Sequence, residues 1–196
     1  MSAPRRTIEP ADILPRARYA PVRAALRREI AAHKRNRRVD VGPFAAFCFE
    51  DWATVRHQIQ EMLYIENGGE AQLEEEIAAY APLVPRGNEL VATAMFEIDD
   101  AARRKLQLLR IGGIEHHALL RIGAEEIRGI PDPDRENTAA DGKASAVQFF
   151  HFPLTEAQAA DFRDATTAVQ LGFDHPNYGH IALMPKPVQA ALAEDL

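Results

Sequence analysis

Apolar residues recur along this chain with two different periods, and the switches between them mark its elements. Val22, Leu26, Ile30 and His33 form one edge at helical spacing, predicting a helix from Pro21 to about His33. Proline is tolerated in a first helical turn, where its missing N–H has no partner to lose. The run Lys34–Arg38 then closes the helix, where cations meet unpaired carbonyls. Alternation begins at "FAAFCF", a strand over Phe44–Phe49. It gives way to a helix capped by Asp51, with Trp52, Val55, Ile59, Met62 and Glu66 on one face. Asn67, Gly68 and Gly69 stop that helix, and a further helix covers about 70–81.

"LVATAMFEI", 90–98, is the most apolar strand pattern of the first half. Leu90, Ala92, Ala94, Phe96 and Ile98 alternate with Val91, Thr93, Met95 and Glu97. With both faces apolar, the strand is expected to be central. Asp100 caps a short helix to about Leu109, and "HHALLRIG" is a strand. A polar loop spans 129–145, long enough to be either mobile or functional. "AVQFFHF" is a strand, Thr155 with Gln158 makes a capping box, "TTAVQLGF" is a strand, Ile181–Met184 another, and Val188–Glu194 a last helix. Several strands lie too close together for crossovers. The pattern therefore predicts an α+β single domain, 1–196, with a mostly antiparallel sheet and helices packed mainly on one face.

Charge adds one asymmetry. Residues 1–40 hold 11 Arg or Lys against 4 Asp or Glu, while the chain as a whole is at −6. Residues 1–38 thus read as a basic helical arm, suited to the acidic body of its own chain or of a second copy in a homodimer. No nucleic-acid motif accompanies the arginines, so nucleic acid is not an expected partner. No apolar run can span a bilayer, so no membrane is expected. No secretory signal is visible, and one cysteine, Cys48, excludes an internal disulfide; a cytoplasmic protein is the expectation. Cys48, between two phenylalanines, reads as a buried, inert thiol.

The candidate chemistry lies in carboxylates and histidines. Glu66 falls within an apolar helical stripe. Glu61 stacks one turn from His57, a spacing that suits a metal. Glu50 and Glu97 end two strands and could form an acid–base pair or hold a hard cation. "FDHPNYGH", 173–180, is a stiff bend that fixes His175 and Tyr178. "DGKAS" lacks the spacing of a phosphate loop, but Lys143 could meet an anion.

Four segments in order, "FCFEDWATVRHQIQEMLYIE", "NELVATAMFEI", "DGKASAVQFFHFPL" and "DHPNY", resemble the bacterial DUF3501 family of uncharacterised proteins. Glu50, Thr54, Gln60, Glu61, Glu66, Glu97, Lys143, Ser145, Gln148, His175, Pro176 and Tyr178 match its motifs. His151 stands where the family often has arginine. The resemblance implies a redox or metal-linked accessory role, with a redox or iron–sulfur protein as partner. Taken together, three functions are open. The first is binding of a small ligand or of a divalent metal such as iron, zinc or manganese, with Glu61, Glu66, Glu97 and His175 as metal ligands. The second is metal-independent acid–base catalysis by Glu66, Glu97 and His175. The third is a homodimeric interaction module. Glu50, Gln60, Lys143, Gln148 and Tyr178 are the expected ligand-binding residues.

Overall fold

The structure is a computed structural model that describes residues 5–66 and 69–196. Among the described residues nine strands form two sheets, in which every pairing is antiparallel. The larger has the order β1 (Arg38–Val41), β2 (Ala45–Phe49), β3 (Glu89–Phe96), β7 (Val147–Pro153), β6 (Ile130–Pro131). The smaller has the order β5 (Glu125–Arg128), β4 (Ala118–Ile122), β8 (Val169–His175), β9 (Tyr178–Leu183). The two pack face to face. Phe47 of the larger sheet stacks on Phe173 of the smaller with ring centroids 5.0 Å apart, and Phe96 and Phe150 close around the pair. Offset and edge contacts of this kind are favourable beyond the area they bury.

This α+β architecture matches the expected class, but the one expected sheet is two. The helices divide accordingly. Helices α4 (Ala101–Arg110), α5 (Glu156–Arg163) and α6 (Lys186–Leu192) send Leu108, Phe162 and Val188 into the core between the sheets. Helices α2 (Trp52–Glu66) and α3 (Gly69–Tyr80) cover the opposite face of the larger sheet. There Val55, Ile59 and Leu83 form a second, smaller core with Val91 and Phe149. The period-2 rule explains the split: one side of β3 (Leu90, Ala92, Ala94, Phe96) faces the other sheet, and the other side faces the helices.

Helix α1 (Arg16–Lys34) starts five residues before the expected position, so Pro21 lies inside it. The carbonyl that Pro21 leaves unpaired belongs to exposed Ala17, where water can serve it. The basic run after α1 is not a simple helix end. Arg37 is buried, and its guanidinium donates to the carbonyls of Phe49 and Glu50, each at 3.1 Å. It also pairs with Asp195 and, at 3.4 Å, with Asp51. Among the described residues no helix is long and apolar enough to cross a membrane.

Candidate functional site

Strand register lays out a floor on the helix-covered face of the larger sheet. Arg38 lies opposite Cys48, Cys48 opposite Thr93, and Thr93 opposite Phe149, one side chain per strand. One rung further, Met95 lies opposite Val147. Neighbouring strands are about 4.8 Å apart, so each rung extends laterally across the sheet. Above this floor α2 and α3 do not close completely. A cavity of about 530 Å³ remains, roofed by Val55, Gln58, Tyr80 and Leu83 and flanked by Lys34. That volume lies within the range of small-molecule sites.

Glu50 marks one end of the cavity. Its N–H continues the ladder to the Val91 carbonyl at 2.8 Å, so the backbone is fixed there. Arg37 holds its carbonyl from behind. The carboxylate accepts hydrogen bonds from the Thr54 hydroxyl at 2.5 Å and the Thr93 hydroxyl at 2.6 Å. Thr54 is placed by the start of α2, where Asp51 and Thr54 satisfy each other's amides at 2.8 and 2.9 Å. Among the described residues, no cation forms an ion pair with Glu50, and Lys34 has no hydrogen-bonding or ionic partner. Arg38, by contrast, is committed to Asp40 and, through both guanidinium ends, to Glu97 at 2.9 and 2.7 Å. Cys48 is only half-buried and faces the cavity. Burial pushes its thiol pKa up, Arg38 and Lys34 oppose that, and Glu50 and Glu97 add to it.

The expected site residues do not gather here. Of the ligand-binding set, Glu50 alone lines the cavity. Gln60 is a clamp: its carbonyl accepts from the Leu14 amide at 2.7 Å, and its amide donates to the Leu14 carbonyl at 3.0 Å. The Tyr178 hydroxyl donates to the Val41 carbonyl at 2.7 Å and accepts from the Ala45 amide at 3.0 Å. It thereby ties β9 to the β1–β2 turn. Gln148 is buried between the sheets and donates to the Asn137 carbonyl at 3.1 Å. The Lys143 amide closes a turn onto Asp141 at 3.0 Å.

The acid–base and metal candidates are equally dispersed. Glu66 ends α2 in solvent, bonded to Gln72. Glu97 is exposed and held by Arg38, which lowers its pKa. Glu61 faces α1, the element that covers this side of α2. It accepts from Tyr19 at 2.5 Å and from Arg23 at 2.9 and 2.8 Å, and Arg23 is the main cause of its low pKa, about 2. His175 is buried in β8. Its Nδ1 accepts from the Asn177 amide at 3.1 Å and its Nε2 meets the Gly112 carbonyl at 3.3 Å, an arrangement suited to a neutral ring. Burial lowers its pKa. Asp174 turns away from His175, toward His117 at 2.8 Å and Arg128 at 2.6 Å. Among the described residues, no three His, Cys, Asp or Glu side chains cluster in a way that could hold a metal ion.

Sequence reasoning overlooked Cys48, Thr93, Phe149 and Lys34 as cavity residues. The available signal was alternation: Cys48 and Glu50 share one side of β2, Thr93 and Met95 one side of β3, opposite to the phenylalanines that fill the main core.

A solved relative has the same fold. A crystal structure of a protein of unknown function from Burkholderia pseudomallei K96243 is 37% identical, with a TM-score of 0.90. The match covers 97% of this chain and 99% of that one. No protein of curated function matches. The model of the family described as "Protein of unknown function (DUF3501)" matches residues 7–196. The chain belongs to the DUF3501 family.

Proposed function

We propose that this protein binds a small organic molecule in the cavity between the larger sheet and helices α2 and α3. The observation that carries this reading is the combination of an apolar floor and roof with a few convergent polar groups, namely Glu50, Thr93 and Lys34, in about 530 Å³. Such a mixture is how small-molecule sites combine affinity with orientation. Of the roles the sequence leaves open, ligand binding has the most support. The carboxylates and histidine considered for metal binding or acid–base work are each engaged elsewhere, by Arg23, Arg38, Gln72 or backbone groups.

The test uses a neutral apolar probe, benzyl alcohol, and methionine labelled with ¹³C at its methyl. Met95 lines the cavity and Met184 lies in the core between the sheets. Titration is expected to move the Met95 methyl resonance in a saturable way and leave Met184 in place. Thr93→Trp, which fills the cavity, is expected to remove the shift. A Met95 signal that stays fixed with benzyl alcohol up to its solubility limit, and with charged aromatic probes such as L-phenylalanine and 3-phenylpropionate as well, would refute the reading.

A further inference from the structure

Two charges of opposite sign line the cavity, and neither has an ionic partner among the described residues. Glu50 is half-buried and receives only hydroxyl hydrogen bonds, from Thr54 and Thr93. Each of its oxygens retains a lone pair for a further donor. Lys34 is half-buried at the end of α1, and its ammonium has three donors to give. The two do not form an ion pair with each other. The third charge at the cavity, Arg38, is neutralised by Asp40 and Glu97. The rest of the cavity offers an apolar surface, Met95, Val147 and Phe149 on the floor and Tyr80 above.

Resting on the small-ligand reading above, we infer that the ligand is a zwitterion with an apolar body, in kind an amino acid or short peptide. Its ammonium sits on Glu50 and its carboxylate on Lys34. The reason is desolvation. An apolar body entering the cavity displaces water from both half-buried charges, and a buried charge without a partner is costly. A neutral ligand strips two charges and replaces nothing. An anion serves Lys34 but faces Glu50, and a cation does the reverse. A ligand that carries both charges answers each one, and the hydroxyls of Thr54 and Thr93 hold the Glu50 carboxylate in place for it. A site built around polar partners discriminates strongly against analogues that lack one of them.

Calorimetric titration with four probes tests this. L-phenylalanine and glycyl-L-phenylalanine are zwitterions with different charge separations. L-phenylalaninamide keeps only the ammonium, and 3-phenylpropionate keeps only the carboxylate. At least one zwitterion is expected to bind about 10-fold or more tightly than either single-charge analogue. Glu50→Gln is expected to erase the advantage over 3-phenylpropionate while keeping that over the amide. Lys34→Met is expected to do the opposite. The comparison of probes on the unaltered protein does not depend on either variant folding. Equal affinities for all four, with benzyl alcohol still moving Met95, would overturn the ligand class and leave the site standing. Silence from all four probes and from benzyl alcohol would overturn both.

Discussion

At the scale of single residues, the backbone takes up four of the side chains that look chemical, Gln60, Gln148, His175 and Tyr178. Tyr178 and His175 are fixed by the bend they occupy, and each spends its polar atoms on backbone partners. Gly42 shows how tight that corner is. It has φ +67°, and a Cβ there would stand 2.6 Å from the His180 ring. Cys48 is the counter-example, a residue that looks inert in sequence yet faces a cavity. Its chemistry follows from its raised pKa. A raised thiol pKa means less thiolate at any pH below it, and the thiolate is the form that reacts. Alkylation by iodoacetamide is therefore expected to be incomplete and slow near neutral pH. Its rate should keep rising beyond pH of about 8.5, where an ordinary free thiol is half-ionised. A rate already level at that pH would show that Lys34 and Arg38 dominate over burial.

At the scale of elements, α1 is held to α2 at two polar points, a knot around Glu61 and, at its far end, His33 against Asp51 at 2.5 Å. Of its 19 residues only Tyr19 is fully buried. Tyr19 and Arg23 converge on Glu61, Tyr19 meets Tyr64 edge-on at 5.7 Å, and Arg16 and Arg23 lie over the Tyr64 ring. Glu61 has a folded pKa near 2, below its usual value. Its contribution is therefore fully present above the unfolded carboxylate range, about 4.3, and is lost as pH falls toward 2. Amide exchange followed by mass spectrometry should show α1 loosening over that window, before the sandwich opens. Glu61→Gln should produce the same loosening at neutral pH by removing the charge that Arg23 needs. Protection of α1 that is identical in variant and parent at neutral pH would place the anchor elsewhere.

The same knot shows what was legible. The 3.6-residue stripe of α2, the Asp51 cap and the Thr155–Gln158 capping box were all readable, because each depends on neighbours in sequence. That Glu61 faces a helix rather than water was not, because α1 lies some 40 residues away in the chain. Strands β1 and β5 escaped for a related reason. Both are four-residue edge strands rich in charge, Arg38 and Asp40 in one, Glu125, Glu126 and Arg128 in the other. Charge at sheet edges discourages unwanted pairing, and it also hides the strand pattern.

At the scale of the whole molecule, sequence periodicity cannot say how many sheets its strands build. The alternation in β2, β3 and β7 announces two apolar faces. It does not announce that one meets a second sheet and the other meets helices. Half of the candidate site was hidden by this. Glu50 could be singled out as a strand-end carboxylate, but its pairing with Thr93 and its distance from Lys34 exist only once register and layers are set.

The layering carries a dynamic consequence. The core between the sheets includes fully buried Phe47, Phe150, Phe152 and Phe173, whereas α3 has no fully buried residue among those described. Local opening free energy follows buried apolar contact, so α3, which supplies Tyr80 to the roof, should open more readily than the sandwich below it. Native-state hydrogen exchange is expected to show α3 amides exchanging at least about 100-fold faster than those of β3 and β7. Opening of α3 would admit a ligand on the Tyr80 side without disturbing the floor that recognises it. Uniform protection across helices and sheets would mean that the molecule opens only as one unit, and that α3 does not act as a separate door to the cavity.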